Sequence, residues 1–226
     1  MASMTQSLAA LAAAGALLFS TSVNAAAPQN DVDGLLFLVN RGWRVSENFV
    51  PEVELANVQG QVKSMRPDAA AALEEMFAAC KEECGYTAVS VSGYRSYSKQ
   101  STIYSNKLKR VHGSEEKADE YVARPGASEH QLGLAMDVGQ KNKTSLTDGF
   151  AKTEVGVWLA ENCWRFGFIL RYQEGWEDVT GYNYEPWHVR YVGKEHAAAI
   201  NEDLKPLEEY LIEVRTQTLL DILSKE

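Results

Sequence analysis

Apolar side chains recur at three- and four-residue spacing in several segments, and that spacing predicts helices. The first such segment begins at Pro67, carries Leu73, Met76 and Phe77 on one face, and stops before Gly85. Proline is favoured in the first turn of a helix and glycine just past its end. We predict further helices over residues 97–111, 154–166 and 204–223.

Other segments alternate apolar and polar side chains or form short apolar runs, as strands do. We predict strands over residues 87–94, 134–138, 168–172 and 187–192. Residues 41–62 mix prolines, acids and isolated apolar side chains, and we interpret them as an irregular arm. Helices mixed with short strands, without regular βαβ alternation, predict an α+β fold with a small sheet flanked by helices.

The N-terminal segment has the pattern of a secretory signal. It carries no charged side chain, and its apolar run Leu8–Phe19 is too short to span a bilayer as a helix. Small residues follow, and we predict cleavage after Ala25 or Ala27. This predicts a signal over 1–27, one domain over 28–226, and a secreted or extracytoplasmic protein without a membrane span. The absence of Lys and Arg leaves an uncleaved tether as the alternative.

Composition narrows the classes of partner. The chain of 226 residues has a formal charge of −9 and no cluster of Lys and Arg, which argues against nucleic-acid binding. Its hydrophobic content of 45% and charged content of 23% are those of an ordinary globular protein, and we expect a monomer. Of the three cysteines, Cys80 and Cys84 lie four positions apart, which is close enough for a disulfide. Two unpaired thiols are the alternative.

The segment Ser128–Asp137, SEHQLGLAMD, has the composition of half a metal site. His130 and Asp137 can bind one divalent ion only if their ligand atoms come within about 4 Å of each other. If extended, the seven-residue step from one to the other would span about 23 Å. The chain must therefore reverse, and Gly133 can adopt the positive φ that a reversal needs.

A second dense motif, Glu185–His188 or EPWH, supplies the missing ligand and a base. A lone histidine is more often a core or surface residue than a ligand, but two of the chain's four histidines fall in these two motifs. His130, Asp137 and His188 would leave a fourth position open, as in catalytic zinc sites. Non-haem iron could use the same set. Glu185 favours hydrolysis, because it can accept a proton from water.

Three motifs together resemble the VanY-type D-alanyl-D-alanine carboxypeptidases, zinc peptidases of bacterial peptidoglycan related to VanX and LdcB. They are SGYRS at 92–96, SEHQLGLAMD at 128–137 and YEPWHVRYVG at 184–193. The resemblance implies a VanY/hedgehog-like fold in which a small antiparallel sheet carries the zinc site. It also implies one zinc ion held by His130, Asp137 and His188.

The resemblance further implies roles for four residues. Glu185 is the general base and acid, and Arg95 stabilises the oxyanion, a role that suits its fixed charge. Ser128 and Gln100 contact the substrate. The alternatives are a surface salt bridge for Arg95 and a turn or cap role for Ser128.

The implied reaction removes the terminal D-alanine from a peptidoglycan stem peptide. An L,D-carboxypeptidase acting on tetrapeptide stems would use the same catalytic residues, and the arm over residues 41–55 is where specificity could differ. A wall-binding module without chemistry is a further alternative, against which intact Glu185 and Arg95 argue.

Overall fold

The computed structural model describes residues 34–224, so the signal predicted over 1–27 lies outside the described residues. The chain divides into two units between Phe37 and Leu38, and the fold described here belongs to the unit that begins at Leu38. Its strands are β1 (Glu54–Leu55), β2 (Ser64–Met65), β3 (Ala88–Ser92), β4 (Ala135–Gln140), β5 (Phe168–Leu170) and β6 (His188–Tyr191). Its helices are α1 (Pro67–Cys84), α2 (Tyr97–Arg110), α3 (Glu115–Asp119), α4 (Glu154–Asn162), α5 (Glu177–Thr180), α6 (Lys194–Asp203) and α7 (Leu207–Leu223).

The main sheet is antiparallel, with strand order β3-β4-β6-β5. Its register pairs Asp137 of β4 with His188 of β6 on one side and with Ser92 of β3 on the other. Directly opposed residues in such a sheet have Cβ atoms about 5 Å apart. The sheet therefore brings two chemically active motifs together, and the predicted α+β fold is confirmed.

The helix predicted from Pro67 is confirmed, and its end follows from local chemistry. Gly85 caps α1 in the left-handed conformation, and its N–H donates to the carbonyl of Lys81. The side chains of Leu73 and Met76 are fully buried. Together with buried alanines, these side chains form the apolar face that α1 buries in the core.

Two helical predictions need correction. The helix predicted over 154–166 ends at Asn162, and a 3-10 turn over Cys163–Phe166 leads into Gly167, whose φ is 86°. The tail helix begins at Leu207 rather than Leu204, and α6 precedes it. Short connections of this kind depend on tertiary contacts, which helical periodicity does not report.

The predicted arm over residues 41–62 is irregular apart from β1, which pairs with β2 just beyond the arm. Gln131, in the centre of the SEHQLGLAMD motif, donates from Nε2 to the carbonyls of Ser46 and Phe49. The N–H of Val45 donates to the carbonyl of Gly126. The arm therefore packs on the segment that carries the metal-site motif.

The three cysteines are free thiols. The sulfur atoms of Cys80 and Cys84 lie 3.6 Å apart, beyond the bond length of about 2.05 Å. Among residues 34–224, no helix is long and apolar enough to cross a membrane.

Candidate metal and catalytic site

The SEHQLGLAMD motif reverses direction at the predicted glycine. Glu129–Leu132 form a 3-10 turn, and Gly133 follows with φ 71° and donates its N–H to the carbonyl of His130. The chain then enters β4, which carries Asp137. A Cβ on Gly133 would lie 3.1 Å from the side chain of Val53, so the reversal is both conformationally and sterically suited to glycine.

The EPWH motif forms a turn that leads into β6. The N–H of Glu185 donates to the carbonyl of Tyr172, and the N–H of His188 donates back to the carbonyl of Glu185. Pro186 restricts the backbone between them. These bonds hold the Glu185 and His188 side chains at the same end of the strand.

His130, Asp137 and His188 converge, as the sequence predicted. One ligand atom of each lies within 4.8 Å of the others, and all three residues are buried. Oδ1 of Asp137 lies 3.3 Å from Nε2 of His130 and 3.1 Å from Nδ1 of His188. Two bonds of about 2.0–2.1 Å in a tetrahedral zinc site would place ligand atoms about 3.3 Å apart. The two distances from Oδ1 of Asp137 fit that geometry.

The hydrogen bonding of His130 leaves Nε2 available to bind a metal. Nδ1 lies 2.8 Å from the carbonyl oxygen of Gly93, which can only accept a hydrogen bond, so Nδ1 carries the proton. Nε2 is buried and has no hydrogen-bond partner. Burial, followed by the charge of Arg95, lowers the pKa of His130 to about 4, so Nε2 offers a lone pair at neutral pH.

The surroundings of His188 are negative. Burial alone would lower its pKa, but the carboxylates of Asp137 and Glu129 outweigh burial and raise the pKa to about 9. A divalent cation would be stabilised by the same carboxylates. The unpartnered nitrogen of His130 and the charge around His188 both fit a bound cation with nitrogen and oxygen ligands.

Glu185 lies beside this ligand set. Its Oε2 is 3.8 Å from Nδ1 of His188, and its side chain is only partly exposed. Burial, which outweighs the opposing charge of His188, raises the pKa of Glu185 to about 7. A carboxylate with a pKa in this range can both take up and release a proton near neutral pH.

Arg95 is not a surface salt bridge, because its side chain is only 17% exposed and its partner is a buried carboxylate. It donates to Oδ2 of Asp137 at 2.8 Å, to Oγ of Ser92 at 2.9 Å and to Oε1 of Gln100 at 3.1 Å. Gln100 is fully buried, and its Nε2 donates to the carbonyl of Ala123. Gln100 therefore orients Arg95, and its predicted contact with substrate stays a prediction.

Ser128 is buried at the start of the 3-10 turn, and its side chain makes no capping hydrogen bond. The cap alternative is thus not supported by the structure, and its predicted substrate contact stays a prediction. His196 is half-buried, and its Nδ1 lies 2.8 Å from the hydroxyl of Tyr210. His112 is exposed.

Glu129 was not among the predicted site residues. This residue lies between two residues that were singled out, and it is buried with Arg171 and Arg190 against its carboxylate. Burial alone would raise the pKa of Glu129, but the charges of the two arginines outweigh burial and hold the pKa well below its ordinary value. The position of Glu129 within the SEHQLGLAMD motif was a signal that could have identified it. Its contacts could not be predicted, because Arg171 and Arg190 come from distant segments of the chain.

Comparison with known proteins agrees with this geometry. Residues 62–194 match the VanY family, described as D-alanyl-D-alanine carboxypeptidase. The putative carboxypeptidase YodJ of Bacillus subtilis is 42% identical over 191 residues, which cover 81% of this chain and 69% of that protein.

Two solved structures are similar to this chain. One is the LdcB LD-carboxypeptidase, with a TM-score of 0.75 and 42% identity over 80% of this chain and 87% of that one. The other is a vancomycin resistance D,D-pentapeptidase VanY mutant in complex with Zn(II). It has a TM-score of 0.66 and 36% identity over 78% of this chain and 98% of that one.

Proposed function

This chain belongs to the VanY family of D-alanyl-D-alanine carboxypeptidases, and from that premise we propose how its residues carry out the reaction. It is a zinc metallocarboxypeptidase that removes the terminal D-alanine from peptidoglycan stem peptides. The supporting observation is the convergence of His130, Asp137 and His188 within 4.8 Å, with Glu185 alongside.

His130 through Nε2, Asp137 through Oδ1 and His188 through Nδ1 would hold the zinc ion. Zinc held there supplies Lewis acidity, which eases the deprotonation of water and polarises the substrate carbonyl. The two imidazoles are neutral in this role and the carboxylate is ionised, so the residues leave about one net positive charge for the reacting groups.

Glu185 takes the proton of the attacking water and passes it to the leaving nitrogen. The water oxygen forms a bond to the carbonyl carbon, the peptide C–N bond breaks, and the nitrogen leaves as the amine of free D-alanine. The hydrogen bonds at both ends of the EPWH turn hold Glu185 beside the ligand set, with its Oε2 3.8 Å from Nδ1 of His188.

Arg95 contributes a charge that is always present. Its contacts with Asp137, Gln100 and Ser92 fix the guanidinium plane, and the N–H groups not used in those bonds are available to an oxyanion. Donors fixed before the reaction stabilise developing charge without reorganisation. Ser128, buried near His130 in the same motif, would contact the substrate next to the ligand set.

A second candidate is an L,D-carboxypeptidase acting on tetrapeptide stems. The observation in its favour is the similarity to LdcB, a protein named an LD-carboxypeptidase. The catalytic residues are common to both candidates, so the difference must lie in how the peptide backbone before the scissile bond is held.

The substrate determines where the enzyme acts. A peptidoglycan stem peptide lies outside the cytoplasmic membrane, and the apolar N-terminal segment over 1–27 supports export. We therefore place the enzyme at the bacterial cell wall. We expect it to act there as a monomer.

The test measures D-alanine release from a synthetic pentapeptide ending in D-Ala-D-Ala and from the matching tetrapeptide. Zinc-loaded enzyme should release D-alanine, and chelator-treated enzyme should not until zinc is restored. Higher kcat/KM on the pentapeptide supports the D,D assignment, whereas higher kcat/KM on the tetrapeptide supports the second candidate. Release from neither peptide by zinc-loaded protein would refute both.

The base assignment is tested with Glu185→Gln, which should lower kcat at least about 1,000-fold while zinc binding remains stoichiometric. Glu82→Gln, an exposed position on α1, serves as the matched control. Retained turnover in Glu185→Gln would show that another group accepts the proton.

A further inference from the structure

The buried carboxylate of Glu129 contacts the candidate metal ligand His188. Glu129 is only 1% exposed, and Oε2 of its carboxylate lies 3.3 Å from Nε2 of His188. Its other oxygen, Oε1, accepts hydrogen bonds at 2.8 Å from Nε of Arg171 and from Nη1 of Arg190. The reaction proposed above gives this carboxylate no task.

Glu129 belongs to a cluster of charged side chains. Arg171 also donates two hydrogen bonds to the carboxylate of Glu208, at 2.9 and 2.6 Å. Glu129, Arg171, Arg190 and Glu208 thus form a buried charge cluster with two positive and two negative groups. Such a cluster gains little stability over an apolar core of the same shape, because desolvation offsets the attraction between its charges. Its presence beside a metal ligand therefore needs another explanation.

The cluster determines which nitrogen of His188 carries the proton. Arginine stays charged in proteins, and a carboxylate that accepts from two guanidinium groups is ionised and can only accept hydrogen bonds. Nε2 of His188 must therefore donate to Glu129. When a cation is bound, the His188 imidazole is neutral and has one N–H and one lone pair, so the lone pair is on Nδ1. Nδ1 faces Oδ1 of Asp137 at 3.1 Å.

We propose that Glu129, held by Arg171 and Arg190, is a positioning residue that fixes the tautomer and ring orientation of His188 for metal binding. The inference rests on the proposed function only in taking His188 as a metal ligand. A carboxylate that accepts from the outer N–H of a histidine ligand also makes that ligand more basic. Glu129 touches neither substrate nor reacting atoms, so its effect on turnover passes through His188.

The contact between Arg171 and Glu208 connects the charge cluster to the C-terminal helix α7. Glu208 lies in the first turn of α7, and its carboxylate holds the far side of the Arg171 guanidinium. Glu208 thereby occupies the two Arg171 nitrogens that Glu129 does not contact, while Nε of Arg171 and Nη1 of Arg190 hold Glu129 directly. Glu208 contacts Arg171 but not His188, whereas Glu129 contacts both. The same Glu→Gln change at Glu208 is therefore a matched control.

The experiment compares Glu129→Gln with Glu208→Gln in the full chain, without peptide substrate. Zinc affinity is measured by competition with a chromogenic chelator, and the visible spectrum of the Co(II)-loaded protein reports ligand geometry. Loss of the Glu129 charge should weaken zinc binding about 10- to 100-fold and change the Co(II) spectrum. Glu208→Gln should keep zinc affinity within about threefold of wild type, even if both variants unfold at lower temperature. Equal zinc affinity in Glu129→Gln and wild type would overturn the proposal, as would equal losses in the two variants.

A measurement on the wild-type protein keeps the proposal testable if Glu129→Gln does not fold. In zinc-loaded protein with ¹⁵N-labelled histidine, NMR should show the proton of His188 on Nε2 and the zinc-bound nitrogen as Nδ1. A proton on Nδ1 would overturn the inference. None of these measurements uses peptide hydrolysis. A protein that binds zinc as described but releases no D-alanine would therefore refute the proposed function and leave this inference standing.

Discussion

Arg95 donates from Nη2 to Oδ2 of Asp137 at 2.8 Å, while Oδ1 of the same carboxylate faces His130 and His188. One carboxylate thus connects the fixed positive charge to the candidate metal ligands. The arginine and the metal ligands form a single unit, in which a change at Arg95 acts on the geometry of the site as well as on its charge.

Arg95→Lys should lower kcat at least about 100-fold, because a lysine ammonium cannot contact Asp137, Gln100 and Ser92 at once and still present a donor to an oxyanion. Zinc affinity should fall less than about tenfold, since the three ligand side chains are unchanged. Steady-state kinetics and chelator competition provide the two measurements. Arg110→Lys, at the exposed end of α2, is the control, and a kcat for Arg95→Lys within threefold of wild type would contradict the assigned role.

Zinc removal should lower thermal stability, because only the folded state has the three ligands assembled and can bind zinc. At a free zinc concentration of 100 times Kd, the gain in unfolding free energy should be about 2.7 kcal/mol. His130→Ala should abolish this gain, whereas His112→Ala, at an exposed position, should keep it. Differential scanning calorimetry with and without zinc measures both, and a zinc-dependent gain in His130→Ala would remove that residue from the ligand set.

Gly133→Ala should destabilise the zinc-free protein more than Gly85→Ala does. Both glycines have positive φ, 71° and 79°, which costs an L-residue about 1–2 kcal/mol. A Cβ on Gly133 would also meet Val53 and Arg66 at 3.1–3.3 Å, whereas a Cβ on Gly85 would meet nothing within 4 Å. We expect a loss of about 1 kcal/mol for Gly85→Ala and about 2–3 kcal/mol for Gly133→Ala by urea denaturation. Equal losses would show that the reversal tolerates a side chain.

Asp119 should contribute stability that disappears in acid. Its carboxylate accepts hydrogen bonds from Tyr104 at 2.7 Å and from Arg124 at 2.8–3.1 Å. Burial alone would raise the pKa of Asp119, but these bonds outweigh it and hold the pKa below the ordinary 3.8. Since the pKa is lower in the folded protein, the contribution is complete well above pH 4 and is lost as the pH falls through the folded value.

Asp119→Asn should therefore lower the unfolding free energy of zinc-free protein by about 1–3 kcal/mol at pH 7. The difference from wild type should shrink as the pH falls below about 4. Urea denaturation at pH 7, 5, 4 and 3 measures this, with Glu82→Gln as an exposed control. A difference that stays constant down to pH 3 would rule out the ionised carboxylate as its source.

The three thiols should differ in reactivity. Burial raises the pKa of both Cys80 and Cys163 to about 12, so each is protonated at pH 8, and the thiolate is the reactive form. Cys84 is partly exposed and should react first with iodoacetamide, as followed by mass spectrometry. All three should react alike in denaturant, and labelling of native Cys80 as fast as Cys84 would contradict the burial described here.

The parts of the site that depend on local chemistry can be predicted from the amino-acid sequence. Gly133 implies a reversal, because few other residues adopt its backbone conformation, and the proline of EPWH implies a rigid turn ahead of a strand. The spacing of apolar residues in the strands and helices is sufficient to predict the α+β fold. The candidate ligands and the base lie in two dense motifs, so their residue types and spacing alone single them out.

Features that depend on register and on distant partners arise only when the chain folds. The pairing of β4 with β6 places Asp137 opposite His188, since a shift by one residue would turn one of them to the other face of the sheet. The burial of Glu129 against Arg171 and Arg190 likewise joins separate segments of the chain. Local sequence patterns carry no information about such pairings, because the free energy of a buried charge depends on which groups surround it after folding.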